Sequence, residues 1–141
     1  MTTTNLATLD RRFRKLDDAW EAARARGDAA EISRTWRLSQ DAHGALYNAA
    51  PQSLQDVVVV LKRVIAGIDP FDPLADDLIP RLRRLRAMLG RRRAIVGVQD
   101  IVELRDIARA SEPICDGGGK MPWLAAWLAE CAACLSRPRL V

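Results

Sequence analysis

The chain has 141 residues, 49% of them hydrophobic, 28% charged and 5% aromatic, with a net charge of +4. That length suits one domain with an apolar core of its own, and the composition excludes a disordered or low-complexity protein. The charge comes from nineteen arginines and only three lysines. It is uneven: Asp69, Asp72, Asp76 and Asp77 form an acidic cluster, and Arg81, Arg83, Arg84, Arg86, Arg91, Arg92 and Arg93 follow without an acid among them.

The first element is expected from about Asn5 to Arg26, where Leu6, Leu9, Phe13, Leu16, Trp20 and Ala23 recur at alternating three- and four-residue steps. This spacing puts one apolar stripe on one side of a helix, whereas a strand needs alternation by two. Thr4 or Asn5 serves as the cap, and Gly27 supplies the left-handed residue that closes the helix. Asp28 then caps a second helix to about Asn48, with Glu31 placed three residues on for a capping box. Its stripe reads Ile32, Trp36, Ser39, His43 and Leu46, so two of five seam positions are polar or titratable. Together the two form a helical hairpin over 5–48.

Pro51 ends the connection and Ser53 caps a third helix over 53–68, whose run from Val57 to Leu61 is apolar on nearly every side and predicts burial between other helices. Asp69-Pro70-Phe71-Asp72-Pro73 interrupts the chain twice, with Asp72 as cap and Pro73 at the first helical position. The fourth helix, 73–89, turns Leu74, Leu78, Leu82, Leu85 and Leu89 inward. A C-terminal helical addition occupies 94–136: a fifth helix within 94–110, a loop from Pro113 to Gly119, and a last helix opened by Pro122. Short connections make sequential helices neighbours, which predicts an all-α, up-and-down antiparallel bundle of four main helices in a single domain.

The stretch Pro51-Gln52-Ser53-Leu54 to Lys62, followed by the acidic linker and the Leu78 to Leu89 helix, resembles small all-helical uncharacterised proteins of proteobacteria. The resemblance implies a bacterial helical domain and carries no site with it.

The arginines from Arg81 to Arg93 are the candidate nucleic-acid contact, since seven guanidinium groups within thirteen residues can neutralise phosphates and give salt-sensitive affinity. Cations near a helix C-terminus also serve the macrodipole without any ligand. Cys131 and Cys134 form one Cys-x-x-Cys, but residues three apart within Trp127 to Leu135 share a buried helical face, where cysteine packs as a small apolar residue. No metal and no cofactor are expected. Asp116-Gly117-Gly118-Gly119-Lys120 lacks the first Gly, the Ser or Thr after Lys and the strand that a phosphate-binding P-loop needs. His43 is the sole histidine, so histidine-pair metal motifs cannot form in one chain. Ser39 lies one turn before it with no carboxylate to orient the pair, so no catalytic residue is assigned.

Trp20, Trp123 and Trp127 are candidate interface residues, because tryptophan is enriched where an aromatic ring is buried against a partner. Trp36, Ser39 and His43 are a candidate small-molecule pocket. With no apolar block behind a positive cluster at the start, three cysteines and no apolar run of about 20 residues, the chain reads as a reduced cytoplasmic protein without a membrane span. The leading functional expectation is a non-enzymatic interaction or scaffold protein, self-associating as a dimer or binding another protein. A nucleic-acid-associated regulator and a small-molecule-binding bundle are the alternatives.

Overall fold

The computed structural model describes residues 5–91, 96–116, 119–120 and 122–137. These form six helices: α1 Leu6–Arg26, α2 Ala29–Tyr47, α3 Leu54–Gly67, α4 Ala75–Arg91, α5 Val98–Ala110 and α6 Pro122–Ser136. The expected loop after Pro113 contains a short antiparallel pair, β1 Cys115–Asp116 with β2 Gly119–Lys120, in which Cys115 faces Lys120 and Asp116 faces Gly119. The all-α class therefore holds.

The contacts divide the chain into two compact units, Met1–Ala49 and Ala50–Val141. The first contains the α1–α2 hairpin. In the second, α3 packs against α4 and α6, and α5 against α4 and α6. The grouping thus differs from four main helices with an addition: α5 and α6 share the core of the second unit with α3 and α4.

Local chemistry accounts for most helix ends. Asn5 accepts from the Ala7 N–H at 2.8 Å to start α1. Gly27 ends it at φ 68°, where Asp28 N–H reaches Ala23 O at 3.3 Å and Gly27 N–H reaches Arg24 O at 3.1 Å, the paired bonds of a glycine-terminated helix. Asp28 accepts from Glu31 N–H at 3.2 Å, but Glu31 completes no capping box. Its carboxylate instead takes Nε and a terminal nitrogen of Arg34 at 3.0 and 2.9 Å, because a bidentate guanidinium outbids a single backbone N–H for an exposed carboxylate. At α3 Asp56 N–H donates to the Ser53 cap Oγ at 3.1 Å, and the Asp56 carboxylate reaches one residue beyond the cap, where Gln52 N–H donates to its Oδ2 at 2.9 Å.

Helix α4 begins two residues later than Pro73. Asp69 and Asp72 each accept a backbone N–H two residues on, from Phe71 and Leu74, both at 2.9 Å. These side-chain turns compete with helical bonding and delay the helix. Pro80 lies inside α4 and is exposed, and having no N–H it supplies no i+4 donor to the Asp76 carbonyl in the first turn.

The core of the second unit follows the periodic rows. Val57, Val60, Leu61 and Val64 of α3, Leu78, Leu82, Leu85 and Leu89 of α4, Leu104 and Ile107 of α5, and Leu124, Trp127, Leu128 and Cys131 of α6 are all buried. Ser111, at the end of α5, is fully buried and tolerated because its hydroxyl donates to Ala108 O at 2.8 Å.

Candidate functional site

In the hairpin the seam mixes small side chains with two leucines. Leu6, Asp10 and Ala23 of α1 and Thr35, Ser39, Ala42 and Leu46 of α2 are buried, and the bulky rings lie on the flank. Thr35 is admitted to the seam because its hydroxyl donates to Glu31 O at 2.6 Å, leaving no polar atom unsatisfied inside. The expected α2 stripe is thereby corrected. Ser39 and Leu46 lie in the seam, whereas Trp36 is 47% exposed and Ile32 and His43 are half-buried.

The flanking rings form an ordered aromatic edge. Trp20 and Trp36 have ring centroids 5.0 Å apart at 47°, and the Arg24 guanidinium sits 4.7 Å from the centre of the Trp20 ring, within cation–π range. Two helical turns away Phe13 meets His43 edge-on at 5.5 Å, and His43 meets Tyr47 at 4.2 Å. Ser39, Trp36 and His43, grouped from the sequence as a pocket, therefore occupy three environments: the seam, the exposed edge and an aromatic row.

The arginine segment divides. Arg81 donates through Nε to Glu103 Oε1 at 2.8 Å and through a terminal nitrogen to Asp77 Oδ2 at 3.2 Å. Its side chain is 23% exposed, and the pairing ties α4 to α5. Glu103's hydrogen bond raises the Arg81 pKa further, and the same bond from Arg81 holds the Glu103 carboxyl below its ordinary range. Arg81 is in this way withdrawn from any external anion. Arg83, Arg84, Arg86 and Arg91 are exposed, and at about 100° per residue they fan over about 160° of α4. Arg92 and Arg93 lie outside the described residues.

In α6, Trp127 is 2% exposed and Leu124, Leu128 and Cys131 are buried with it, while Trp123 is half-buried. Trp127 is therefore a core residue. Burial pushes the Cys131 thiol well above its ordinary range, with Cys134 adding to the effect, which makes it a packing residue in place of a nucleophile. Among the described residues no cluster of three or more His, Cys, Asp or Glu side chains is arranged to hold a metal. No described helix is long and apolar enough to cross a membrane.

One feature escaped the sequence reading. An open groove of about 580 Å³ runs between α5 and α6, lined by Arg105, Ala108, Arg109 and Glu112 on one wall and by Ala125, Ala126, Ala129 and Ala133 on the other. Its signal was the alanine spacing on α6, which reads in a sequence as mere helix propensity. Val98 and Val102, on the same row of α5 as Arg105, are 75% and 44% exposed.

Comparison with known protein families, with characterised proteins and with solved structures finds no match.

Proposed function

We propose that this chain is a non-enzymatic helical interaction protein, an accessory or scaffold subunit of the cytoplasm, and that the Trp20–Trp36 edge of its hairpin is the partner-binding surface. The observation that carries the reading is Trp36, 47% exposed yet held 5.0 Å from Trp20. A solvent-facing tryptophan packed on a second ring that an arginine covers offers apolar area beside a charge, and Trp and Arg dominate the energetic centres of protein interfaces. The test places a photo-crosslinking residue at Arg37, beside Trp36 on the exposed side of α2, and exposes the protein to an extract of its native host. A discrete adduct that disappears on Trp36→Ser supports the reading, and an adduct pattern indifferent to Trp36 counts against it.

A second reading, association with nucleic acid, draws on Arg83, Arg84, Arg86 and Arg91, which are exposed and form no ion pair among the described residues. Arg81 contributes little to it, being bound to Glu103 and Asp77. Retention on a DNA column that collapses at moderate salt, with a salt slope reduced by replacing these four residues with Ser, would favour it.

A further inference from the structure

A second surface, in the other unit and independent of the hairpin edge, invites a definite occupant. We infer that the α5–α6 groove is a self-association site filled by the same groove of a second copy of this chain, the two copies related by a twofold axis that sets their helices antiparallel.

The groove is built for close helix approach. Ala126, Ala129 and Ala133 of α6 are exposed at steps of three and four residues, so the outward side of that helix offers methyl groups over two turns. Small side chains on a helix face let a second helix come near enough for dense packing. The two walls run antiparallel: Arg105, near the middle of α5, donates to Ser136 Oγ at the end of α6 at 3.2 Å, and Ser136 Oγ in turn donates to Ala132 O at 2.7 Å. Arg105 is thus held at one end of the groove. Glu112 stands at the other.

The charges choose the partner. Arg105 lies within α5 and Glu112 in the turn just past its end at Ala110, and among the described residues neither forms an ion pair. A twofold axis lying across the groove brings Arg105 onto the partner's Glu112, and Glu112 onto the partner's Arg105. A single surface therefore sets each of its two charged ends against an opposite charge when it meets a copy of itself, which is the defining property of an isologous contact. Arg109, which also lines the groove, lies near the axis in each copy, and the like charges meeting there oppose tight association. A face of two helices about 20 Å long lies at the low end of specific interfaces, which bury about 800 Å² per partner. Association is consequently weak and concentration-dependent.

Sedimentation velocity on the full chain from low to high micromolar concentration tests this. The wild type moves from monomer to dimer. Arg105→Glu and Glu112→Arg each weaken the dimer by about tenfold or more, corresponding to about 1.4 kcal/mol, and the combined R105E/E112R protein regains wild-type association because the pair is restored with reversed sign. Ala129→Glu abolishes the dimer, and Trp36→Ser leaves it unchanged. Circular dichroism melts confirm that each variant is folded. A wild type that stays monomeric throughout, single reversals without effect, or a double reversal that fails to restore the dimer overturns the inference. So does a dimer lost with Trp36→Ser, which would put the second copy on the hairpin instead.

Discussion

Trp20 and Trp36 meet across the hairpin at 5.0 Å, and Phe13 and His43 meet at 5.5 Å, in a single antiparallel register. Phe13 precedes Trp20 by the same seven residues by which His43 follows Trp36, so both pairs are centred on the Gly27-Asp28 turn. The turn chemistry therefore sets the aromatic edge: a left-handed Gly27 followed at once by a capping Asp28 leaves no slack in the connection. Lengthening it would separate both pairs together.

Gly27→Ala is expected to destabilise the protein by about 1 kcal/mol. A methyl group at this position meets no atom within 4 Å, while φ is 68°, so the cost is one of backbone conformation and not of crowding. Urea denaturation followed by helical circular dichroism measures it. A loss of near-ultraviolet signal from the Trp20–Trp36 pair at lower urea than in the wild type is expected alongside.

Trp127, expected from sequence at an interface, and Trp36, expected in a pocket, should separate in their energetics. Trp127→Ala removes a ring that is 2% exposed and should cost about 3–5 kcal/mol. Trp36→Ala removes a half-open ring whose chief partner is Trp20, and should cost about 0.5–1.5 kcal/mol for the aromatic pair plus a smaller area term. Equilibrium urea unfolding of both variants distinguishes them. Equal costs would place Trp36 in a core.

Arg81 and Glu103 predict a pH dependence with a definite sign. Because Arg81 holds the folded Glu103 carboxyl below its unfolded value, the contribution is fully present above the ordinary glutamate range and is lost as pH falls through the folded value. Glu103 is 39% exposed at the side chain, so solvent screening keeps the contribution to about 1 kcal/mol or less. Urea midpoints measured from neutral pH into acid should fall less steeply for Glu103→Gln than for the wild type. A variant with an unchanged acid slope would contradict the pairing.

Thiol reactivity should follow burial. In a Cys115→Ser background, native protein treated with iodoacetamide is expected to react at the half-buried Cys134 well before the fully buried Cys131, whose thiolate is disfavoured by desolvation. Peptide mass spectrometry reads the order. Both thiols should react together once urea unfolds α6.

Helix existence was legible from periodicity because long apolar rows such as Leu78, Leu82, Leu85 and Leu89 leave no strand alternative. Caps at Asn5, Asp28 and Ser53, and the stop at Gly27, were legible because each depends on one local residue type. The start of α4 was not, since Asp69 and Asp72 can cap a helix or form turns and only the tertiary path decides between them. The seam of α2 differs from the expected stripe because hydrophobicity ranks Ile32 and Trp36 above Thr35 and Ala42, whereas position on the side of α2 that carries Leu46 decides burial. The division of the arginines was likewise hidden, because Glu103 lies 22 residues from Arg81 and no local pattern announces their bond. The α5–α6 groove leaves only the α6 alanine spacing in the sequence, because a groove is a relation between helices.

Hydroxyl-radical footprinting of Trp36 tests the recognition edge most directly, comparing purified protein with the same protein in an extract of its native host. The account predicts that Trp36 is oxidised readily when the protein is alone and is protected in the extract, while the exposed Phe71 is oxidised equally in both. Equal oxidation of Trp36 in the two conditions would contradict it.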